Sequence, residues 1–195
     1  MVAGRIGPHV AVYGHSGSGK STLGRRLSEA LGVPYVELDA IFHAHPNWVD
    51  LERDEFRARV SELLEANPAG WVIDGNYSAV RDLILPRADT VVWLRLPFRV
   101  VYPRLARRTV VRSFQGAELW NGNRESLRQT FLTRDSMLLW GITSWRRTIR
   151  HTRRDLQTIP HQAQVIELTS ARAVQELLRA NHSAAERLVA PARDD

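Results

Sequence analysis

The chain has 195 residues, 44% of them hydrophobic and 25% charged, a composition typical of a globular domain with a sizeable core. It contains no cysteine, which excludes disulfides, zinc–thiolate sites and cysteine nucleophiles. No apolar run approaches the roughly 18 residues of a membrane span, and residues 1–8 lack the apolar core of a secretory signal. We therefore expect a cytoplasmic protein with no membrane partner.

The hydrophobic pattern predicts short buried strands that alternate with helices. Strands are predicted at residues 9–13, 35–38, 71–73, 90–96 and 165–168. Helices are predicted at residues 20–31, 51–65, 98–113, about 125–152 and 170–180. Because this alternation is typical of a parallel sheet with helices on both faces, the sequence predicts a single α/β domain over residues 1–180. The remaining residues, 181–195, are expected to form a flexible C-terminal tail.

A phosphate-binding motif follows the first predicted strand and opens the first predicted helix. Its glycines let backbone N–H groups turn inward around an anion, and the helix N-terminus adds its positive end. Lys20 is expected to contact the β- and γ-phosphates, and the Ser21 hydroxyl is expected to ligate Mg²⁺. The first eight residues of the motif match G-x-x-x-x-G-K-[ST]. The sequence thus predicts a site for ATP with Mg²⁺, formed by Gly14, His15, Ser16, Gly17, Ser18, Gly19, Lys20, Ser21 and Thr22.

Two acidic residues follow the second and third predicted strands, at the sheet edge where ligands bind in such folds. Asp74 is placed to hold Mg²⁺ directly or through water, although Asp-Gly is also a common turn pair. Asp39 is placed to accept a proton from a substrate hydroxyl or to help hold the metal, with a helix or turn cap as the alternative. We therefore predict a metal site at Ser21 and Asp74 and a catalytic role for Asp39.

The excess positive charge, a net +6, lies in one central segment. Residues 99–154 contain 13 arginines and three acidic residues, whereas both flanking regions are slightly acidic. Arg104, Arg108 and Arg112 recur at four-residue spacing, so a helix places them on one face. Because arginines that close over a transferring phosphoryl group stabilise its charge, we interpret residues 104–150 as a lid carrying three catalytic arginines. Five later arginines, between 146 and 154, indicate either a solvated basic face or a surface for an acidic partner.

Several of these motifs together resemble a known family. The P-loop with Thr22-Leu23, Leu38-Asp39-Ala40, Asn47-Trp48-Val49, Arg53-Asp54-Glu55-Phe56 and the segment 72–77 resemble the adenylate-kinase-like P-loop ATPases known as DNA-topology-modulation proteins. More distantly, the chain is similar to nucleoside monophosphate kinases and to shikimate and gluconate kinases. The resemblance implies a three-layer P-loop kinase fold with about five parallel strands and a mobile helical lid. It also implies that Asp74 belongs to the magnesium shell and that Arg104 and Arg108 contact adenine and phosphate.

The resemblance also bears on the phosphoryl acceptor. Monophosphate kinases follow their Asp-Gly with Phe-Pro-Arg, whose arginine binds the acceptor phosphate, whereas this chain has Asn76-Tyr77-Ser78. Asp39 instead matches the aspartate with which shikimate-type kinases bind an acceptor hydroxyl.

Two functions fit these observations. The first is a Mg-ATP-dependent kinase that phosphorylates a small molecule, either a nucleotide or a hydroxyl-bearing metabolite. The second is an ATP-dependent regulatory protein whose arginine-rich segment binds nucleic acid. We favour the kinase, because the positive charge falls where a kinase needs its lid. The sequence does not distinguish ATP from GTP, and it leaves the acceptor and the oligomeric state open.

Overall fold

The computed structural model describes residues 6–46, 49–115, 142–157 and 163–189. Within these ranges, side chains are described except at residues 112–115 and 182–189. Much of the expected lid, together with the Asn47-Trp48 motif and the last six residues of the expected tail, lies outside the described residues.

Five parallel strands form one sheet, in the order β2-β3-β1-β4-β5. The strands are β1 (His9–Gly14), β2 (Tyr35–Glu37), β3 (Trp71–Asp74), β4 (Thr90–Leu94) and β5 (Gln164–Leu168). All residues of β3 and β4 are buried, as expected for a parallel sheet that is covered on both faces. In the sheet register Val12 pairs with Asp74, and Glu37 also pairs with Asp74. The sheet therefore brings the carboxyl ends of β1, β2 and β3 to one edge.

Within the described residues, seven helices connect and cover these strands. They are α1 (Lys20–Leu31), α2 (Leu38–Phe42), α3 (Arg53–Ala66), α4 (Arg81–Ile84), α5 (Phe98–Gln115), α6 (Trp145–Leu156) and α7 (Ala171–Val189). Two short 3₁₀ turns, Ser78–Val80 and Leu85–Arg87, flank α4. No helix in the part of the chain that the structure describes is both long and apolar enough to cross a membrane.

Alternate residues of the central strand supply two separate cores, because successive side chains of a strand point to opposite faces. Val10 and Val12 pack in a cluster with residues of α1 and α7, which include Leu23, Leu27, Leu177 and Leu178. Ala11 and Tyr13 pack on the other face with residues of α3 and α4, which include Phe56, Val60, Leu64 and Ile84. Side chains of α6 add to this second core through Ile149 and Leu156.

This architecture confirms the predicted fold class, and α1 has the predicted bounds. The structure differs at the second strand, which was expected to reach Leu38. β2 ends at Glu37 because Leu38 begins α2 and is itself buried in the core. The C-terminal helix also differs in length, since α7 continues to Val189 and so enters the segment expected to be a tail. The flexibility of residues 181–195 stays a prediction.

Candidate active site

The P-loop leaves β1 at Gly14 and enters α1 at Lys20 through two left-handed glycines. Gly17 has a φ of +83° and Gly19 a φ of +95°, values that residues with a side chain rarely adopt. Gly17 is further restricted by the close approach of α5. A Cβ atom at Gly17 would lie 2.9 Å from the Cβ of Leu105 and 3.0 Å from the carbonyl oxygen of Val101. The loop is therefore pressed against α5 and has room for backbone only.

The side chains of the two residues that open α1 converge on Asp74 at the end of β3. The Ser21 hydroxyl donates to Asp74 Oδ2 at 2.8 Å, and Lys20 Nζ lies 3.9 Å from Asp74 Oδ1. Tyr35 of β2 also donates its hydroxyl to Asp74 Oδ2, at 3.2 Å. Asp74 is 3% exposed, and this burial raises the pKa of its carboxyl, against the opposing effect of the Lys20 ammonium. The structure thus brings together Lys20, Ser21 and Asp74, as the sequence predicts.

Two further carboxylates lie near this centre. Glu37, the last residue of β2, accepts from the Ser21 hydroxyl at 3.3 Å and from Arg25 at 3.3 Å. Burial raises the pKa of Glu37, and the negative charges of Asp74 and Asp39 raise it further. Glu37 was not predicted, although its place at the end of the second strand, two residues before Asp39, was a signal that could have indicated it.

Asp39 lies in the first turn of α2 and not at the end of a strand. Its Oδ1 atom accepts a hydrogen bond from the Tyr77 hydroxyl at 2.7 Å. The Tyr77 ring packs against Phe42 and Phe56, with ring centroids 4.8 and 5.3 Å apart. Burial and the adjacent Asp39 charge raise the pKa of Tyr77, so the phenol stays protonated and remains a donor. Asp39 is therefore held by the segment that follows β3.

An asparagine that the sequence analysis did not assign binds the first residue of the P-loop. Asn76 Oδ1 accepts from the Gly14 backbone N–H at 3.3 Å, and Asn76 Nδ2 donates to the Gly14 carbonyl at 3.0 Å. The side-chain amide thus pairs with the Gly14 peptide groups as a neighbouring strand would. This contact spans 62 positions in the sequence, so no local pattern could have predicted it.

His15, predicted to bind the nucleotide, turns its side chain into the protein. It is 5% exposed, and its Nε2 atom lies 3.2 Å from Ser144 Oγ, just before α6. Its ring packs against Trp145, with the ring centroids 5.0 Å apart. A contribution of His15 to phosphate binding would therefore come from its backbone N–H.

The three predicted catalytic arginines all belong to α5. Arg108 reaches the P-loop and donates to Ser16 Oγ at 2.9 Å. Arg104 is exposed on the same helix. Arg112 is part of the helix, but its side chain lies outside the described residues. Of the two whose side chains are described, the structure brings Arg108 to the P-loop.

The chemistry of the side chains around Ser21 fits a divalent cation. Asp74 Oδ1 is buried and accepts no hydrogen bond from the described residues, and the Ser21 hydroxyl lies beside the same carboxylate. In the ranges that the structure covers, no three His, Asp or Glu side chains are arranged as a complete metal site. Such a partial oxygen set suits Mg²⁺, which usually takes one or two carboxylates and completes its shell with water and substrate phosphates.

Comparisons with known proteins agree with this geometry. A profile of the shikimate kinase family matches residues 16–138, more than half of the chain. The chain is 46% identical over 121 residues to a shikimate kinase of Paramagnetospirillum magneticum, covering 55% of this chain and 62% of that protein. It is 34% identical over 111 residues to an adenylate kinase isoenzyme 6 homolog of Caenorhabditis elegans, covering 52% of this chain and 59% of that protein. These alignments span about six tenths of the length of each relative.

Among solved structures, a shikimate kinase from Acinetobacter baumannii in complex with shikimate superposes with a TM-score of 0.52. The superposition covers 94% of this chain and 91% of that one, at 18% identity, which supports the shared fold. Taken with the P-loop and the buried carboxylate that faces it, the profile match shows that the chain belongs to the shikimate kinase family, within the wider superfamily of P-loop kinases.

Proposed function

We propose that this protein is a Mg-ATP-dependent kinase that phosphorylates a hydroxyl group of a small molecule. The observation that carries the proposal is the convergence of Lys20 and Ser21 on the buried Asp74. P-loop enzymes use this combination of lysine, hydroxyl and carboxylate to bind phosphates and Mg²⁺. The family match supports the same chemistry.

Each residue of the site has a role in this proposal. Ser21 and Asp74 would hold Mg²⁺, which when bound neutralises part of the negative charge of the phosphate oxygens. Lys20 and Arg108 would stabilise the negative charge on the phosphoryl group as it moves. In the overall reaction the acceptor oxygen bonds to the γ-phosphorus, the bond to the β–γ bridging oxygen breaks, and the acceptor loses its proton.

Asp39 would orient the acceptor hydroxyl and accept its proton. The Tyr77 hydroxyl fixes one oxygen of this carboxylate and leaves the other available for a substrate. The acceptor is a nucleotide or a hydroxyl-bearing metabolite, and the second is favoured. Ser78 stands where the Phe-Pro-Arg pattern of the monophosphate kinases has its arginine, so this position offers no cation for an acceptor phosphate.

The test measures ADP release from Mg-ATP with a panel of acceptors: nucleoside monophosphates, sugars, gluconate, shikimate and aminoglycosides. We expect one acceptor class to stimulate release and K20A to abolish it, while Glu62→Gln, which removes an exposed carboxylate on α3, leaves it unchanged. If no acceptor stimulates release, or if K20A retains full activity, the kinase assignment is wrong.

One observation favours a second function, the binding of nucleic acid, which is also the finer expectation raised by the resemblance to DNA-topology-modulation proteins. Five arginines of α6 are exposed, namely Arg146, Arg147, Arg150, Arg153 and Arg154. The acidic residue of this helix, Asp155, is paired with Arg81 at 2.8 Å, so it does not neutralise the exposed face. Binding of single-stranded DNA that weakens steeply between 50 and 200 mM salt, and that R150E with R154E removes, would support this function. Binding whose affinity does not change with salt concentration would count against this function.

A further inference from the structure

The helices α5 and α6, which carry many of the arginines of residues 99–154, contact consecutive residues of the P-loop. Arg108 of α5 donates to Ser16 Oγ at 2.9 Å, and His15 contacts Ser144 at the start of α6 at 3.2 Å. Two helices that lie far apart in the sequence thus contact adjacent residues of the loop. These contacts join residues 92 and 129 positions apart.

The hydrogen bonds of His15 define the protonation of its ring. Nδ1 lies 3.0 Å from the Ser16 carbonyl oxygen, which can only accept, so Nδ1 carries the proton. Nε2 of a neutral ring then accepts from the Ser144 hydroxyl. Burial lowers the pKa of His15, and the Lys20 charge lowers it further, against the opposing effect of the hydrogen bond to Ser16. The net lowering of this pKa favours the neutral ring. His15 is therefore a fixed connector between the loop and α6.

Aromatic packing strengthens the same junction. Trp145, the first residue of α6, contacts the His15 ring at 5.0 Å and the Phe98 ring of α5 at 5.2 Å. Phe98 stacks on Tyr102 one turn later, at 5.0 Å. The start of α5 thus contacts the start of α6, and Trp145 of α6 in turn contacts the His15 ring.

The other end of α6 is tied to the strand that carries the P-loop. Asp155 accepts from Arg81 at 2.8 Å. Burial raises the pKa of the Tyr13 phenol, and the nearby Arg81 opposes this rise; Tyr13 directly precedes Gly14. The helix therefore has, near both of its ends, an interaction that leads to residues of or next to the phosphate-binding loop.

We propose that His15 is a positioning residue that couples nucleotide binding at the P-loop to the placement of α6 through Ser144 and Trp145. The proposal rests on the proposed binding of ATP to the P-loop, and it does not depend on the identity of the acceptor. When phosphates draw the backbone N–H groups of the loop inward, the His15 side chain fixes where α6 begins. Conversely, the His15–Ser144 hydrogen bond preorganises the loop for phosphate.

The test is a double-mutant cycle on Mg-ATP affinity. His15→Leu removes both ring hydrogen bonds and places an apolar side chain at this position, whereas Ser144→Ala removes only the hydroxyl. We expect each variant to raise the Kd for Mg-ATP by about 3–10-fold, because each loses the neutral hydrogen bond between His15 and Ser144. The double variant should bind Mg-ATP no more weakly than the single variant with the lower affinity, since both substitutions remove the same interaction. Ser61→Ala on α3, which also loses a side-chain hydrogen bond, should bind Mg-ATP as the wild type does.

A spectroscopic readout separates positioning from simple packing. Mg-ATP should change the tryptophan emission of the wild type, and Trp145→Phe should remove most of that change while keeping an aromatic ring at the junction. If the His15 and Ser144 variants lose thermal stability without nucleotide but keep the wild-type Kd, the contact is structural and the proposal is wrong. If the wild type binds no Mg-ATP, or if K20A binds it equally well, the proposed function fails and this coupling fails with it.

Discussion

Replacing Asp74 with asparagine should stabilise the free protein and weaken its binding of Mg-ATP. The substitution keeps the shape of the side chain and removes its negative charge. Asp74 is 3% exposed, and its pKa is raised because burial disfavours the charged carboxylate more than Lys20, Ser21 and Tyr35 favour it. The ionised group therefore lowers the free energy of unfolding at neutral pH, and asparagine relieves that penalty.

The negative charge of Asp74 would also attract a cation bound at Ser21. At 3.9 Å the attraction between Lys20 Nζ and Asp74 Oδ1 is about 4 kcal/mol at an effective dielectric constant of about 20. This attraction places the ammonium and is lost in the variant. Removing a residue that holds or orients a metal ligand typically lowers affinity about 10–100-fold, or about 1.4–2.7 kcal/mol. Each kcal/mol gained by the free protein should raise its Tm by about 2–4 °C.

The pH dependence of the free energy of unfolding tests the sign of the predicted stabilisation independently. A carboxyl whose pKa is raised on folding stabilises the fold while protonated, and this contribution is lost as pH rises through the folded-state pKa. The stability advantage of D74N over the wild type should therefore be largest near pH 8. It should shrink as pH falls toward the ordinary carboxyl range near about 4.

Thermal unfolding without nucleotide, between pH 5 and 8, together with calorimetric titration of Mg-ATP, measures both effects. Glu62→Gln is the matched control, because it removes an exposed carboxylate of α3. Its Tm and its Kd for Mg-ATP should both stay close to those of the wild type. The reasoning is refuted if D74N unfolds at a lower temperature than the wild type at pH 8, or if it binds Mg-ATP with unchanged affinity.

Three further predictions follow from the packing. Gly17→Ala should lower Mg-ATP affinity and stability more than Gly19→Ala. The reason is that a Cβ at Gly17 meets α5, whereas none of the described atoms lies within 4 Å of a Cβ at Gly19. Titration with Mg-ATP and thermal unfolding of both variants measure these effects, and equal effects would contradict the prediction. Leu27→Ala should lower the free energy of unfolding by about 2–5 kcal/mol, since Leu27 of α1 is fully buried in the cluster that α1 forms with the sheet and α7. Denaturant unfolding measures this loss, and a loss below about 1 kcal/mol would contradict the packing. Tyr77→Phe should raise KM for the acceptor more than KM for ATP, because it removes the hydrogen bond to Asp39 and leaves Asp74 untouched. Steady-state kinetics with each substrate varied provide the test, and an effect confined to KM for ATP would be inconsistent with the prediction.

The sheet and the core of the site could be predicted because both depend on short-range patterns. Apolar strands that end at Gly14 and Asp74 define the sheet edge, and α1 has its predicted bounds between Lys20 and Gly32. The glycine spacing of the P-loop is fixed by backbone geometry, which leaves a direct trace in the sequence. Lys20, Ser21 and Asp74 accordingly meet as expected.

The residues that support this site could not be predicted, because their contacts depend on three-dimensional packing. Glu37 shares Ser21 with Asp74 only because β2 and β3 lie side by side in a particular register. Asn76 binds Gly14 across 62 positions, and His15 meets Ser144 across 129. The motif marks His15 as a P-loop residue, and nothing local indicates that its side chain turns away from the phosphate side.

These unpredicted contacts explain how the site keeps its geometry despite the repulsion inside it. Besides burial, the negative charges of Asp74 and Asp39 raise the pKa of Glu37, and that of Asp39 raises the pKa of Asp74, so the carboxylates would separate if each stood on a mobile loop. Glu37 and Asp74 instead end adjacent strands, and Tyr77 fixes Asp39 from the chain that follows β3. Asn76 then binds Gly14 from the same segment, so hydrogen bonds link the segment that holds Asp39 to the phosphate loop. A cation bound at Ser21 would relieve the repulsion, which is why nucleotide with Mg²⁺ should stabilise the wild type more than nucleotide alone.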